Sequence, residues 1–107
     1  MTERWSRGRL REAPAAPASG EAVERLLALP GVAIEQILSG ALDAPLHFRQ
    51  EHDEWVVLPS GSASLVVAGT EVDLEAGEWL FLPAGVQHSV VSTAPGSSWL
   101  AVHVGAR

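Results

Sequence analysis

The chain has no cysteine in its 107 residues, which excludes disulfide staples, zinc–thiolate centres and a cysteine nucleophile. It also has no lysine. All seven basic residues are arginine, against thirteen acids, for a net charge of −6. No apolar run approaches the roughly 18–20 residues that a membrane span requires, so no membrane association is expected. The arginines near the start are not followed by an apolar stretch, so a secretory signal is not expected and a cytoplasmic location is. No Ser-His-Asp arrangement is legible: Ser60, Ser62, Ser64, Ser89 and Ser92 stand where turns and strands use serine. No phosphate-cradling loop is present either, because "SGSAS" lies between two strand-like runs and not before a helix.

What the chain does have is a 47% hydrophobic content, enough for one core in one domain. Its charge is unevenly spread. Residues 1–20 carry Arg4, Arg7, Arg9 and Arg11 against Glu3 and Glu12, a net +2, whereas residues 21–107 carry three arginines against eleven acids, a net −8. An acidic body repels phosphate backbones, so nucleic-acid binding is not expected. Residues 1–20 end in "APAAPASG", which has no periodicity and reads as an N-terminal arm, flexible or docked on a partner or on the body itself. Residues 21–107 are then the folded domain. It opens with "GEAVERLLALPG", where Val23, Leu26, Leu27 and Leu29 fit a short helical segment closed by Pro30-Gly31.

From Val32 onward the pattern changes. "VAIEQILSG", "APLHFRQ", "DEWVVLPSG", "SASLVVAG", "TEVDLEAG", "EWLFLPAG", "QHSVVSTAPG" and "SSWLAVHVG" are short β-prone runs. Each is bounded by Gly, Pro, Ser or Asp at intervals of roughly 8–12 residues, which predicts an all-β sandwich or barrel. If residues 50–58 are extended, Gln50, His52, Glu54, Val56 and Leu58 share one face. On the last run Trp99, Ala101 and His103 share another.

Within this pattern Gly77, Pro83, Gly85 and His88 are spaced as G-x5-P-x-G-x2-H. Each has a mechanical reason: a turn into a strand at Gly77, a strand end at Pro83, and a tight hairpin at Gly85 that aims His88 at the barrel mouth. Upstream, Glu54 and Gly61 are spaced as E-x6-G. These spacings resemble the two motifs of the cupin family, the second with Ser92 where asparagine is usual. The histidine pair of the first motif is eroded. A three-residue spacer puts Phe48 and Gln50 at its positions, and a four-residue spacer puts His47 and Arg49 there. The resemblance covers residues 32–104 and implies a jelly-roll barrel of antiparallel strands.

A pocket of this kind could hold a divalent metal such as Zn, Fe, Mn or Ni through His88, Glu54 and His52, with Gln50 as a weak fourth donor and His47 in place of His52 in the other register. Glu54 or His52 would then move protons in an isomerase, dioxygenase or decarboxylase. His103, Trp99, Phe48 and Arg49 are the further pocket candidates. The alternative is a barrel that binds a small ligand without catalysis. A homodimer is expected under each reading, since so small a barrel has apolar strand faces to cover.

Overall fold

All eight β-prone runs between Val32 and Val104 form strands in the computed structural model, which describes residues 5–105. A ninth strand precedes them. In order these are β1 (Glu21–Leu29), β2 (Val32–Ser39), β3 (Leu46–Phe48), β4 (Asp53–Ser60), β5 (Ser62–Val67), β6 (Thr70–Glu75), β7 (Trp79–Leu82), β8 (His88–Thr93) and β9 (Ser97–Val104). They make two sheets, ordered β1-β2-β9-β4-β7 and β3-β8-β5-β6. Every ladder is antiparallel, and most neighbours in space are distant in sequence, as in a jelly roll.

The helical segment expected over "GEAVERLLALPG" is instead β1. It pairs with β2 from Glu21↔Ser39 to Leu29↔Val32, with one extra residue at Leu26. Pro30 and Gly31 join the two strands as a two-residue turn in which Gly31 holds φ +74°, a conformation that favours glycine. The physical reason for the difference is partnership. A helix this short is marginal by itself, whereas the ladder to β2 gives the backbone hydrogen-bonding partners along its whole length. The helical spacing of the leucines is therefore overridden, and Val23 and Leu29 remain more than half exposed.

The core lies between the sheets. Val56 and Leu58 of β4 pack with Ala63, Leu65, Leu74, Leu82, Val90, Trp99 and Ala101. The alternation expected for β4 is present: Glu54, Val56 and Leu58 are buried, and the residues between them are half-buried. Complete burial of a leucine such as Leu58 stabilises the fold by roughly 1.5–3 kcal/mol. Pro59, which has no N–H to donate, falls where the β4–β9 register shifts between Val57 and Ser60.

The outer face of β2 is also covered. The Gln36 carboxamide donates to Ser98 Oγ at 3.0 Å and to the Arg11 carbonyl at 2.9 Å, and accepts from the Arg11 N–H at 2.8 Å. Ser19 bridges to Ala41 in parallel register, and Ala13–Ala15 form one 3-10 turn. The described part of the arm thus touches the body at Gln36 and at Ala41.

Candidate functional site

The ladder registers bring three strands to one wall of the barrel interior. Glu54 of β4 lies opposite His103 of β9, which lies opposite Ala33 of β2. One step along, Ala101 lies opposite Glu35, and at the far end Ser39 lies opposite Glu21 of β1. Directly opposed residues hold their Cβ atoms about 5 Å apart, so these side chains form rows on one face. The rows line a cavity of about 160 Å³. Its polar lining is Glu21, Glu35, Gln50, Glu54 and His103, and its apolar lining includes Val23, Ile37, Phe48, Val56, Leu65 and Trp99.

Glu54 is 7% exposed. Its carboxylate makes no hydrogen bond or ion pair among the described residues, and burial pushes it up to about 7, helped by the charges of Glu35 and then Glu21. Burial also raises Glu21, opposed by the Ser39 hydroxyl that donates to its Oε2 at 2.9 Å. The same hydroxyl accepts from Trp99 Nε1 at 3.0 Å, which fixes the indole on the cavity wall. Glu35 has two partners: Arg25 Nη2 at 3.3 Å and His103 Nε2 at 3.0 Å. Because a carboxylate only accepts, His103 carries its proton on Nε2. Its Nδ1 then accepts, at 2.8 Å, from His52 Nε2.

The structure brings Glu54, Gln50, Phe48, Trp99 and His103 together around the cavity. His52 stands just outside, at the bend before β4, where its ring meets His103 edge-on with centroids 4.9 Å apart. His47 is on the opposite face of β3, exposed and 2.7 Å from Ser89 Oγ. Arg49 is exposed as well. His88 opens β8 as the motif requires, but its ring is stacked on Phe48 at 5.3 Å and 16°, and it does not line the cavity. It is 5% exposed, and its Nδ1–H points to the Val86 carbonyl at 3.3 Å. Burial lowers its pKa, opposed by that backbone contact.

Phe48 and Gln50, the positions of the three-residue spacer, therefore both face the cavity beside Glu54. His47 and Arg49 do not. Among the described residues, no three His, Asp or Glu side chains are grouped closely enough to hold a metal ion. Glu21 and Glu35 were not among the sequence candidates. The signal for Glu35 is the alternation Ala33, Glu35, Ile37, Ser39, which places it on the inward face of β2. Glu21 had none once its segment was read as helical.

Comparisons with known proteins agree with the topology. A family model described as "Cupin domain" matches residues 33–103. A "putative mannose-6-phosphate isomerase" from Ralstonia eutropha JMP134 is 32% identical, with a TM-score of 0.75, over 92% of this chain and 100% of that one. An RmlC-like cupin from Shewanella frigidimarina NCIMB 400 is 18% identical, with a TM-score of 0.76, over 99% and 94%. KdgF from a Halomonas species is 17% identical, with a TM-score of 0.75, over 82% and 81%. The latter two show a shared fold. No curated protein matches significantly. On its two-sheet topology and the match over residues 33–103, the chain belongs to the cupin family.

Proposed function

We propose that the barrel pocket binds a small polar organic molecule and that Glu54 exchanges a proton with it, in an isomerase-type role. The observation that carries this reading is Glu54 itself: a buried carboxyl on the cavity wall, without a partner, pushed up to about 7. A group that titrates near neutral pH takes and returns a proton at little free-energy cost in either direction, which general acid–base transfer requires. An isomerisation needs one such group. Glu54 would take the proton from the hydroxyl-bearing carbon beside a carbonyl and return it to the former carbonyl carbon, while the hydroxyl proton passes to the other oxygen through Glu54 or water, with no co-reactant consumed.

Cupins commonly bind a metal, but the residues here do not fit one. Two of the family's ligand positions carry a benzyl ring, which has no donor atom, and a carboxamide, a weak donor. The imidazole of His88 is behind Phe48, and that of His52 is engaged with His103. No step is therefore routed through a metal.

The name of the Ralstonia relative supports the reaction type. A phosphorylated hexose is nevertheless a poor match for this cavity. Three carboxylates on its wall repel a phosphate.

One observation favours a second reading, ligand binding without turnover. The N–H groups of His103 and Trp99 already serve Glu35 and Ser39. Among the described lining side chains, the Gln50 carboxamide is then the donor left to polarise a ligand carbonyl. Proton NMR in D2O with small aldoses and ketoses separates the two. Solvent deuterium entering beside the carbonyl, lost in Glu54→Gln, supports the isomerase reading. Pocket shifts without exchange support the second reading, and neither effect refutes both.

A cytoplasmic homodimer completes the proposal. No helix among the described residues is long and apolar enough to cross a membrane. Val23 and Leu29 on one edge strand, and Trp79 and Phe81 on the other, are each more than half exposed and would be covered in a dimer.

A further inference from the structure

Among the described residues, three carboxylates and no arginine line the barrel cavity, and the chain contains no lysine. The charges are unequally partnered. Glu35 is held by Arg25 and by the Nε2–H of His103. Among the described residues Glu21 has one hydroxyl, that of Ser39. Glu54 has no hydrogen-bonding or ionic partner among the described residues: the residue is more than nine-tenths buried, and its carboxylate oxygens are left facing the cavity.

A buried carboxylate without a partner is costly, and a cation or a strong donor placed beside it removes that cost. The rest of the wall is apolar and aromatic, with the Phe48 and Trp99 rings and Ile37 among its members. Aromatic faces attract organic cations, and an apolar wall suits their alkyl part better than it suits a hydrated inorganic ion. The acidic body, net −8 over residues 21–107, draws cations towards the mouth and repels anions.

We propose that the ligand of this pocket is a small organic cation, an alkylammonium whose N–H groups bond Glu54 while its carbon part packs against Phe48 and Trp99. This rests on the pocket reading above and names the chemical class that the pocket takes. The charge of the ligand supplies what the fold omits.

The test is an NMR titration of the intact protein with butylammonium, 1-butanol and butyrate, matched in carbon chain and different in charge. The expected result is amide shifts at Phe48, Gln50, Glu54 and Trp99 with butylammonium, and an affinity at least about tenfold above that for 1-butanol. Butyrate should give no pocket shifts. Glu54→Gln should reduce the preference for the amine over the alcohol to about threefold or less, with an otherwise unchanged amide spectrum. Glu54→Asp, which withdraws the carboxylate by one methylene, serves the same purpose should the first variant not fold. Equal binding of butylammonium and 1-butanol would overturn the cation assignment and leave the pocket reading standing. Binding of none of the three would overturn both.

Discussion

Replacing Glu54 with glutamine should make the protein more stable above neutral pH, contrary to the usual result of altering a buried site. The carboxyl is raised from its ordinary value of 4.5 to about 7 in the folded chain. Between these values the folded chain holds a proton that the unfolded chain has released, so stability falls as pH rises through this window. The loss is complete above pH 7. One pKa unit corresponds to about 1.4 kcal/mol, so the shift amounts to about 3 kcal/mol. Burial is its largest cause, followed by the charges of Glu35 and Glu21. Glutamine has nearly the same shape and no charge to desolvate. At pH 4.5 the two proteins should therefore agree to within about 1 kcal/mol. At pH 8 the variant should be more stable by about 2–3 kcal/mol, on the order of 10 °C in Tm for a domain of this size. Urea unfolding of both proteins from pH 4.5 to 8.5 measures this directly. The difference between them isolates Glu54 from Glu21, which is raised in the same direction, and from His88. A difference that stays flat across the range would refute the reasoning.

Other expectations are independent of the ligand. Gly61 sits at φ +96°, and a Cβ added there would lie 2.6 Å from the Ser97 Cα, so Gly61→Ala should destabilise by about 2 kcal/mol or more in the same assay. His88 is held below its ordinary value of 6.5 by burial, so the unfolded chain takes up a proton on acidification that the folded chain refuses. Whatever stability His88→Gln loses at pH 7 should therefore shrink as pH falls from 7 to 5, and a constant gap would contradict the burial of that ring. Light scattering should give twice the chain mass, and Val23→Lys with Leu29→Lys should return the monomer. A wild-type monomer would refute the dimer.

Much of the barrel could be read from short runs and their punctuation, because Gly, Pro and alternation act locally. The inward set Glu54, Val56 and Leu58 follows from alternation within one strand, and it holds. What was not legible depends on pairing across the sheet. β1 looked helical because its leucines are spaced for a helix, and its ladder to β2 overrides that spacing. Glu35 faces inward by the alternation of β2, but its contact with His103, one row away, is set by the β2–β9 register. His52 shares the alternation of Gln50 and Glu54, yet of the three it is the one not on the cavity lining. The chain bends at residues 51–52, before β4 starts, and the imidazole turns to His103. His88 was correctly placed at the head of its strand, but the opposing Phe48 ring, one ladder away, decides what it can reach.

The central claim is that this barrel is organised around a protonatable, unpartnered carboxyl at Glu54. Carbon-13 NMR of selectively labelled glutamate, with Glu54 assigned by its absence in Glu54→Gln, tests it most directly. The account predicts one side-chain carboxyl titrating at about 7. Titration of Glu54 at its ordinary value of 4.5 would contradict it.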